Sequence, residues 1–187
     1  MKHFIYLLIA CCTILSAAGQ SKKDIKRNRI KSVKIVVTSN KDGKSTSYTE
    51  SFQRFDAEAN ITEDKEYDKD GKLDRHVTTT YNKNGDITEE KSFDASGKMK
   101  KRVVFKYNAN GDQTEMVKYD AAGSVVEKEV WTYTPAGDRN AEVTMDGKGN
   151  MVKKVIILYD NKGMKTSRST YDGKGNLLSE KKYTYEY

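Results

Sequence analysis

The sequence predicts an all-β protein: an antiparallel meander of about twelve strands built from 26-residue β-hairpin repeats and curled into one layer, with an open sheet favoured over barrel-like closure. Three observations predict it. Glycine recurs at 71, 85, 97, 111, 123, 137, 149, 163 and 175, so its spacing alternates 14 and 12; self-similarity at a fixed period marks a repeat architecture. Four positions before each of these glycines stands an aromatic or large apolar residue: Tyr67, Tyr81, Phe93, Tyr107, Tyr119, Tyr133, Met145, Tyr159 and Tyr171. Between the turns, Leu73, Val77 and Tyr81 share one parity while Asp74, His76, Thr78 and Thr80 take the other, the period of a strand with one drier face.

At the N-terminus, Met1-Lys2-His3 precedes an apolar run over residues 4–15 and then Ser16-Ala17-Ala18-Gly19. A basic start, about a dozen apolar residues and a small-residue end describe a signal peptide over residues 1–19, cleaved near Ala18 or Gly19 and too short to span a bilayer stably. The expected location is periplasmic or extracellular. Leu8-Ile9-Ala10-Cys11 also fits a lipobox, and the rival reading is an outer-membrane protein anchored by a lipidated Cys11; membrane association is expected only in that case. Residues 20–30, with Lys22, Lys23, Lys26, Arg27 and Arg29, read as a solvated basic linker. Contact with acidic polysaccharide or lipid headgroups is its functional alternative.

Residues 31–187 form the repeat domain, whose first strand falls at Val33-Lys34-Ile35-Val36-Val37. Each unit such as Tyr67-Asp68-Lys69-Asp70-Gly71 is the end of a strand entering a type I turn. Asp or Asn at the first turn position accepts backbone amides two residues on, and Gly takes the left-handed conformation of a G1 bulge. The single proline, Pro135, sits at the second turn position, where φ near −65° is wanted and no amide is missed. Degenerate turns at Asn40-Lys41-Asp42-Gly43 and Asp56-Ala57-Glu58-Ala59 bring the count to eleven turns and twelve strands.

Such a turn pairs each aromatic with the residue six positions later. Along one rim the partners are Leu73, Met99, Val125, Met151 and Leu177; along the other they are Ile87, Gln113, Arg139 and Lys165. One rim is therefore expected to be apolar and the other polar. The 14/12 alternation staggers the sheet by two residues per hairpin, a strand tilt of about 35° at which sheets coil or close. Glu89, Lys91, Lys101, Glu115, Glu127, Glu129 and Lys153 are assigned to the drier parity, where a closed barrel would bury them without partners; this favours the open sheet. With 36% apolar and 33% charged residues, against about 45–50% and 25% in typical domains, no large packed core is expected.

Chemistry is thin. Both cysteines, Cys11 and Cys12, lie in the expected signal peptide, and its removal leaves His76 as the one histidine. No disulfide, thiol nucleophile or zinc cluster remains, and His76 sits mid-strand among threonines. The run from Asp68 to Asp74 resembles a calcium loop but lacks the third alternate ligand and the distal glutamate. No enzymatic activity, catalytic residue, metal or cofactor is expected. The candidate binding residues are Tyr81, Tyr107, Tyr133 and Tyr159 with Arg139 and Lys165, because aromatic faces suit the apolar surfaces of sugars. A glycan or an envelope protein is the expected partner; nucleic acid is not.

Phe105-Lys106-Tyr107-Asn108-Ala109-Asn110-Gly111-Asp112, Trp131-Thr132-Tyr133-Thr134-Pro135-Ala136-Gly137-Asp138 and Tyr171-Asp172-Gly173-Lys174-Gly175-Asn176-Leu177 resemble the tyrosine–aspartate (YD) repeats of rearrangement-hotspot (RHS) proteins, over about residues 38–187. Asn replaces Asp in three turns and Met145 replaces a tyrosine. The resemblance implies strands that spiral into a shell, and a short exported protein of a Gram-negative bacterium that binds carbohydrate or another envelope component. It implies no catalytic residue, since the family motif is structural. The competing class is a structural or adaptor protein that pairs a sheet edge with a partner strand.

Overall fold

The computed structural model describes residues 21–41 and 44–186. The expected signal peptide, Cys11 and the turn residues Asp42 and Gly43 lie outside the described residues. Twelve antiparallel strands form one sheet in strict chain order, from β1 (Ser32–Lys41) through β2 (Lys44–Phe55), β3 (Ile61–Tyr67), β4 (Leu73–Tyr81), β5 (Ile87–Phe93), β6 (Met99–Tyr107), β7 (Gln113–Asp120), β8 (Val125–Tyr133), β9 (Arg139–Asp146), β10 (Met151–Tyr159) and β11 (Lys165–Asp172) to β12 (Leu177–Lys182). Among the described residues each strand contacts only the strands before and after it, and the sheet is not closed into a barrel.

The turns follow from their own chemistry. In the first complete unit, the Asp68 carboxylate accepts the amides of Asp70 and Lys72, both at 2.9 Å, and Gly71 has φ 78°. The fourth and first turn residues also exchange a backbone bond, Gly71 N–H to the Asp68 carbonyl at 2.9 Å. The aromatics pair as the spacing requires, Tyr67 with Leu73 and Tyr81 with Ile87. Past each such pair the register shifts by one residue, and that extra residue corrects one expectation. Val77 lies opposite Ser92, and Phe105 opposite Met116; directly opposed residues share a face. Even-numbered residues of β5 and β7 therefore lie on the dry face with odd-numbered residues of β4 and β6. Glu89, Lys91 and Glu115 belong to the wet face, not to the dry one. Lys101, Glu127, Glu129 and Lys153 do lie on the dry side.

The dry face carries most of the core: Val103, Met116 and Trp131 form one cluster, flanked by Phe105 and Tyr133, and Val155 and Ile157 continue it along β10. Burial within a single layer is possible because adjacent strands carry large side chains into the same row.

The second cluster caps the N-terminal end. The segment expected to be a linker contains a helix, α1 (Lys22–Arg27), N-capped by Ser21, whose hydroxyl accepts the Asp24 amide at 3.1 Å. Ile25 of α1 is 2% exposed against Phe55 and Ala59. This contact explains the one turn without glycine. Ala59 adopts φ 63°, normally a strained value for a residue with a Cβ, and its methyl group packs under the helix.

Candidate functional site

The two rows of turns differ in what their aromatics do. At the ends of β4, β6, β8 and β10 each tyrosine hydroxyl donates to the carbonyl of the residue twenty positions earlier: Tyr81 to Ile61 at 2.9 Å, Tyr107 to Ile87 at 2.7 Å, Tyr133 to Gln113 at 2.6 Å and Tyr159 to Arg139 at 2.8 Å. Tyr185 continues the series beyond β12, donating to Lys165 at 2.8 Å. The hydroxyl latches one hairpin to the next. Burial pushes the Tyr81 hydroxyl up to about 12, and burial also raises Tyr107 and Tyr159.

All four candidate tyrosines thus lie on one rim, half-buried, with their hydroxyls engaged. Arg139 stands beside them, its guanidinium 5.1 Å from the Trp131 ring and 5.9 Å from that of Tyr133, with Glu142 at 3.5 Å. The Lys165 ammonium lies 5.9 Å from the Tyr183 ring. The arrangement offers ring faces and two cations, both already in contact with aromatic rings.

On the opposite rim the aromatic position holds Tyr67, Phe93, Tyr119, Met145 and Tyr171; Phe93 and Met145 have no hydroxyl to bond. The extra residue of each bulge also differs between rims. On the tyrosine rim it is Thr62, Thr88, Thr114, Asn140 and Thr166, and the hydroxyls of the first three donate to the carbonyls of Arg54, Thr80 and Lys106. On the other rim it is Asp74, Lys100, Val126, Val152 and Leu178. The last three are 54%, 46% and 62% exposed, and with Val125 and Leu177 they form an aliphatic stripe on alternate strands, roughly 10 Å apart. Between them Gly147 and Gly173 keep the backbones close, since a Cβ would stand 2.1 Å from the Val125 carbonyl oxygen and 2.2 Å from that of Met151. The stripe was legible in the 26-residue register as a change from charged to aliphatic at the second position after the turn, but only once that position was known to point outward.

On the wet face Glu63, Glu89 and Glu115 recur one repeat apart as an ion-pair ladder. Glu63 meets Lys65 at 2.8 Å and His76 at 3.0 Å, Glu89 meets Lys91 at 2.6 Å and also Arg102, and Glu115 meets Lys106 at 2.7 Å and Lys128 at 2.6 Å. Hydrogen bonds from Lys65, Lys91 and Lys106 are the leading cause that holds these three carboxyls below the usual range. His76 is thus paired with a carboxylate, and its ring lies 4.7 Å from Phe93. Glu129, on the dry face, goes the other way: burial, then Glu127, raises it.

Among the described residues no helix is long and apolar enough to cross a membrane. Together these features define a single-layer β-repeat module. No family model and no curated protein matches the chain. Among solved structures it is similar to a porin-like protein from Bacteroides uniformis, at 11% identity and a TM-score of 0.43 over 74% of this chain and 70% of that one. It is also similar to TcdB2-TccC3-Cdc42, at 13% identity and a TM-score of 0.33 over 82% of this chain. The match spans 10% of the TcdB2-TccC3-Cdc42 chain. A protein of unknown function from Bacteroides fragilis matches at 14% identity and a TM-score of 0.24, over 84% of this chain and 96% of that one.

Proposed function

We propose that the protein is a non-enzymatic β-repeat interaction module, exported to the bacterial envelope or exterior, that holds a partner protein against the aliphatic rim and free edge at the C-terminal end of its sheet. The observation that carries this reading is the exposed stripe Val126, Val152 and Leu178 beside β12, every residue of which is exposed. Isolated exposed aliphatics need no explanation, but a row of them bordering an open edge marks an interaction surface. Export rests on the leader-like residues 1–19, and the YD-repeat kinship on the Tyr-Asp-x-x-Gly units.

Carbohydrate binding along the tyrosine rim is the second reading, favoured by four rings at a fixed 26-residue spacing with Arg139 and Lys165 beside them. One comparison separates the two. A protein that co-purifies with the wild-type chain from envelope extracts and is lost from a Val152→Asp, Leu178→Asp variant of unchanged thermal stability supports the rim. Retention of that protein by the variant, together with glycan-array binding that falls on Arg139→Ala, overturns the rim in favour of carbohydrate.

A further inference from the structure

From the surroundings of α1 we infer that the protein carries a binding site for an anionic amphiphile, a ligand with an apolar chain and a phosphate or carboxylate head. The inference does not depend on the rim. An open cavity of about 830 Å³ lies between α1 and the end of β2, where Ile25, Ile30 and Phe55 contribute apolar lining and Lys26, Arg29 and Lys31 contribute charge. Arg54 also lines it, its other side engaged by Glu63 at 3.7 Å and by the Phe52 ring.

No carboxylate of the lining pairs with these cations directly. Asp56 is the one acid in the lining, and its oxygens are taken by the turn: one accepts the amides of Glu58 at 3.0 Å and Asn60 at 2.8 Å, the other the Asn60 side-chain amide at 2.9 Å. Among the described residues Lys26, Arg29 and Lys31 are in no ion pair. With Arg54 the lining holds four cations against the single carboxylate of Asp56, a net positive charge that attracts an anion; the floor beneath adds affinity for a ligand with a hydrocarbon chain.

Arg29 strengthens the case. It terminates α1 at φ 51°, with Ile30 N–H closing back on the Ile25 carbonyl at 3.0 Å. That is the position just after the C-cap, Asn28, where glycine is the usual residue. A capping role alone favours glycine there; against that backbone preference the chain has an arginine, and it lines the cavity.

The test titrates the purified protein calorimetrically with dodecyl phosphate below its micellar concentration, alongside inorganic phosphate and dodecyl maltoside. One dodecyl phosphate per chain is expected, with both controls much weaker. A Lys26→Glu, Lys31→Glu variant should bind about tenfold more weakly, the loss of roughly one charge-assisted contact. Arg29→Gly should also bind more weakly while its Tm rises, a combination that damage to the fold cannot produce. Unchanged affinity in both variants overturns the site, as does equal binding of inorganic phosphate or of dodecyl maltoside. Vesicles identify the source of the ligand: co-sedimentation with phosphatidylglycerol-containing but not pure phosphatidylcholine vesicles, lost in the same variants, names a membrane lipid. Binding of the free amphiphile without co-sedimentation names a soluble one.

Discussion

The two rims of this sheet are built from the same turn, yet one is chemically locked and the other is not. On the tyrosine rim, hydroxyl bonds from Tyr81, Tyr107, Tyr133, Tyr159 and Tyr185 reach back across the array, and threonine at the bulge adds a second tie on three hairpins. On the other rim the same position accepts Tyr, Phe or Met, and the bulge residue is free to be Asp, Lys, Val or Leu. Tyrosine persists where its hydroxyl has a backbone acceptor; where it has none, any large apolar side chain fills the space. The locked rim sets the pitch of the array, and the unlocked rim can vary its surface without disturbing that pitch.

The turns themselves show a related exclusion. The first turn residue and the residue four positions on pair as Asn82 with Asp86 and Asn108 with Asp112 in two turns of the locked rim, and as Asp56 with Asn60 on that same rim and Asp146 with Asn150 and Asp172 with Asn176 on the other. Amide and carboxylate exchange places, and no described turn opposes two acids at these positions. Asparagine at Asn82 and Asn108 is thus the complement of the aspartate four residues on.

The largest effect expected is at the unlocked rim's glycines. Gly147→Ala drives a methyl group into the Val125 carbonyl and should lower stability by about 2–3 kcal/mol. At the equivalent locked-rim position Ala109→Gly should change it by less than about 1 kcal/mol. Denaturant midpoints of the two variants compare them directly; equal shifts would show that the close approach at Gly147 does not require glycine.

Next comes the hydroxyl itself. Tyr107→Phe or Tyr133→Phe leaves a half-buried carbonyl without its donor and should cost about 1 kcal/mol, whereas Tyr119→Phe should be close to neutral. A Tyr119→Phe loss as large as the others, read as Tm, would show that ring packing rather than the hydroxyl separates the rows.

High pH sharpens the comparison. A tyrosine raised on folding contributes stability that is complete below its unfolded value near 10 and is lost as pH rises through its folded value, which for Tyr81 is about 12. Stability should therefore fall between about pH 10 and 12, and this fall should be shallower in Tyr81→Phe. An identical pH profile in that variant would assign alkaline unfolding to other groups.

The smallest effect concerns the stripe. Val126→Ser and Val152→Ser remove side chains that are already about half in water, so each should shift stability by less than about 0.5 kcal/mol. A larger loss in thermal melts would mean that the stripe supports the fold rather than facing a partner.

How much was legible in the sequence depended on how local the cause was. Turn positions, strand number and the pairing of each aromatic with its sixth follower could be read from Gly, Asp and Tyr spacing, because a G1-bulged turn is determined by five or six consecutive residues; the spacing allowed closure as well as an open sheet, and of the charges that favoured the open one only Lys101, Glu127, Glu129 and Lys153 lie on the dry face. Placement of Glu89, Lys91 and Glu115 was not legible, since each bulge inserts one residue and flips parity between the strand end and its body. The candidate tyrosines were found for their rings, yet their hydroxyl acceptors lie twenty residues away and need the array's pitch to be known. The amphiphile cavity was hidden for the same reason: Lys26, Arg29 and Arg54 meet only because Ile25 docks α1 on Phe55 and Ala59. Sequence alone determined what each hairpin does to itself, through backbone conformation and short-range hydrogen bonds. Only the tertiary structure decided which faces and rims the hairpins share, because that depends on how each bulge rotates one strand relative to the next and on where a six-residue helix finds apolar surface to cover.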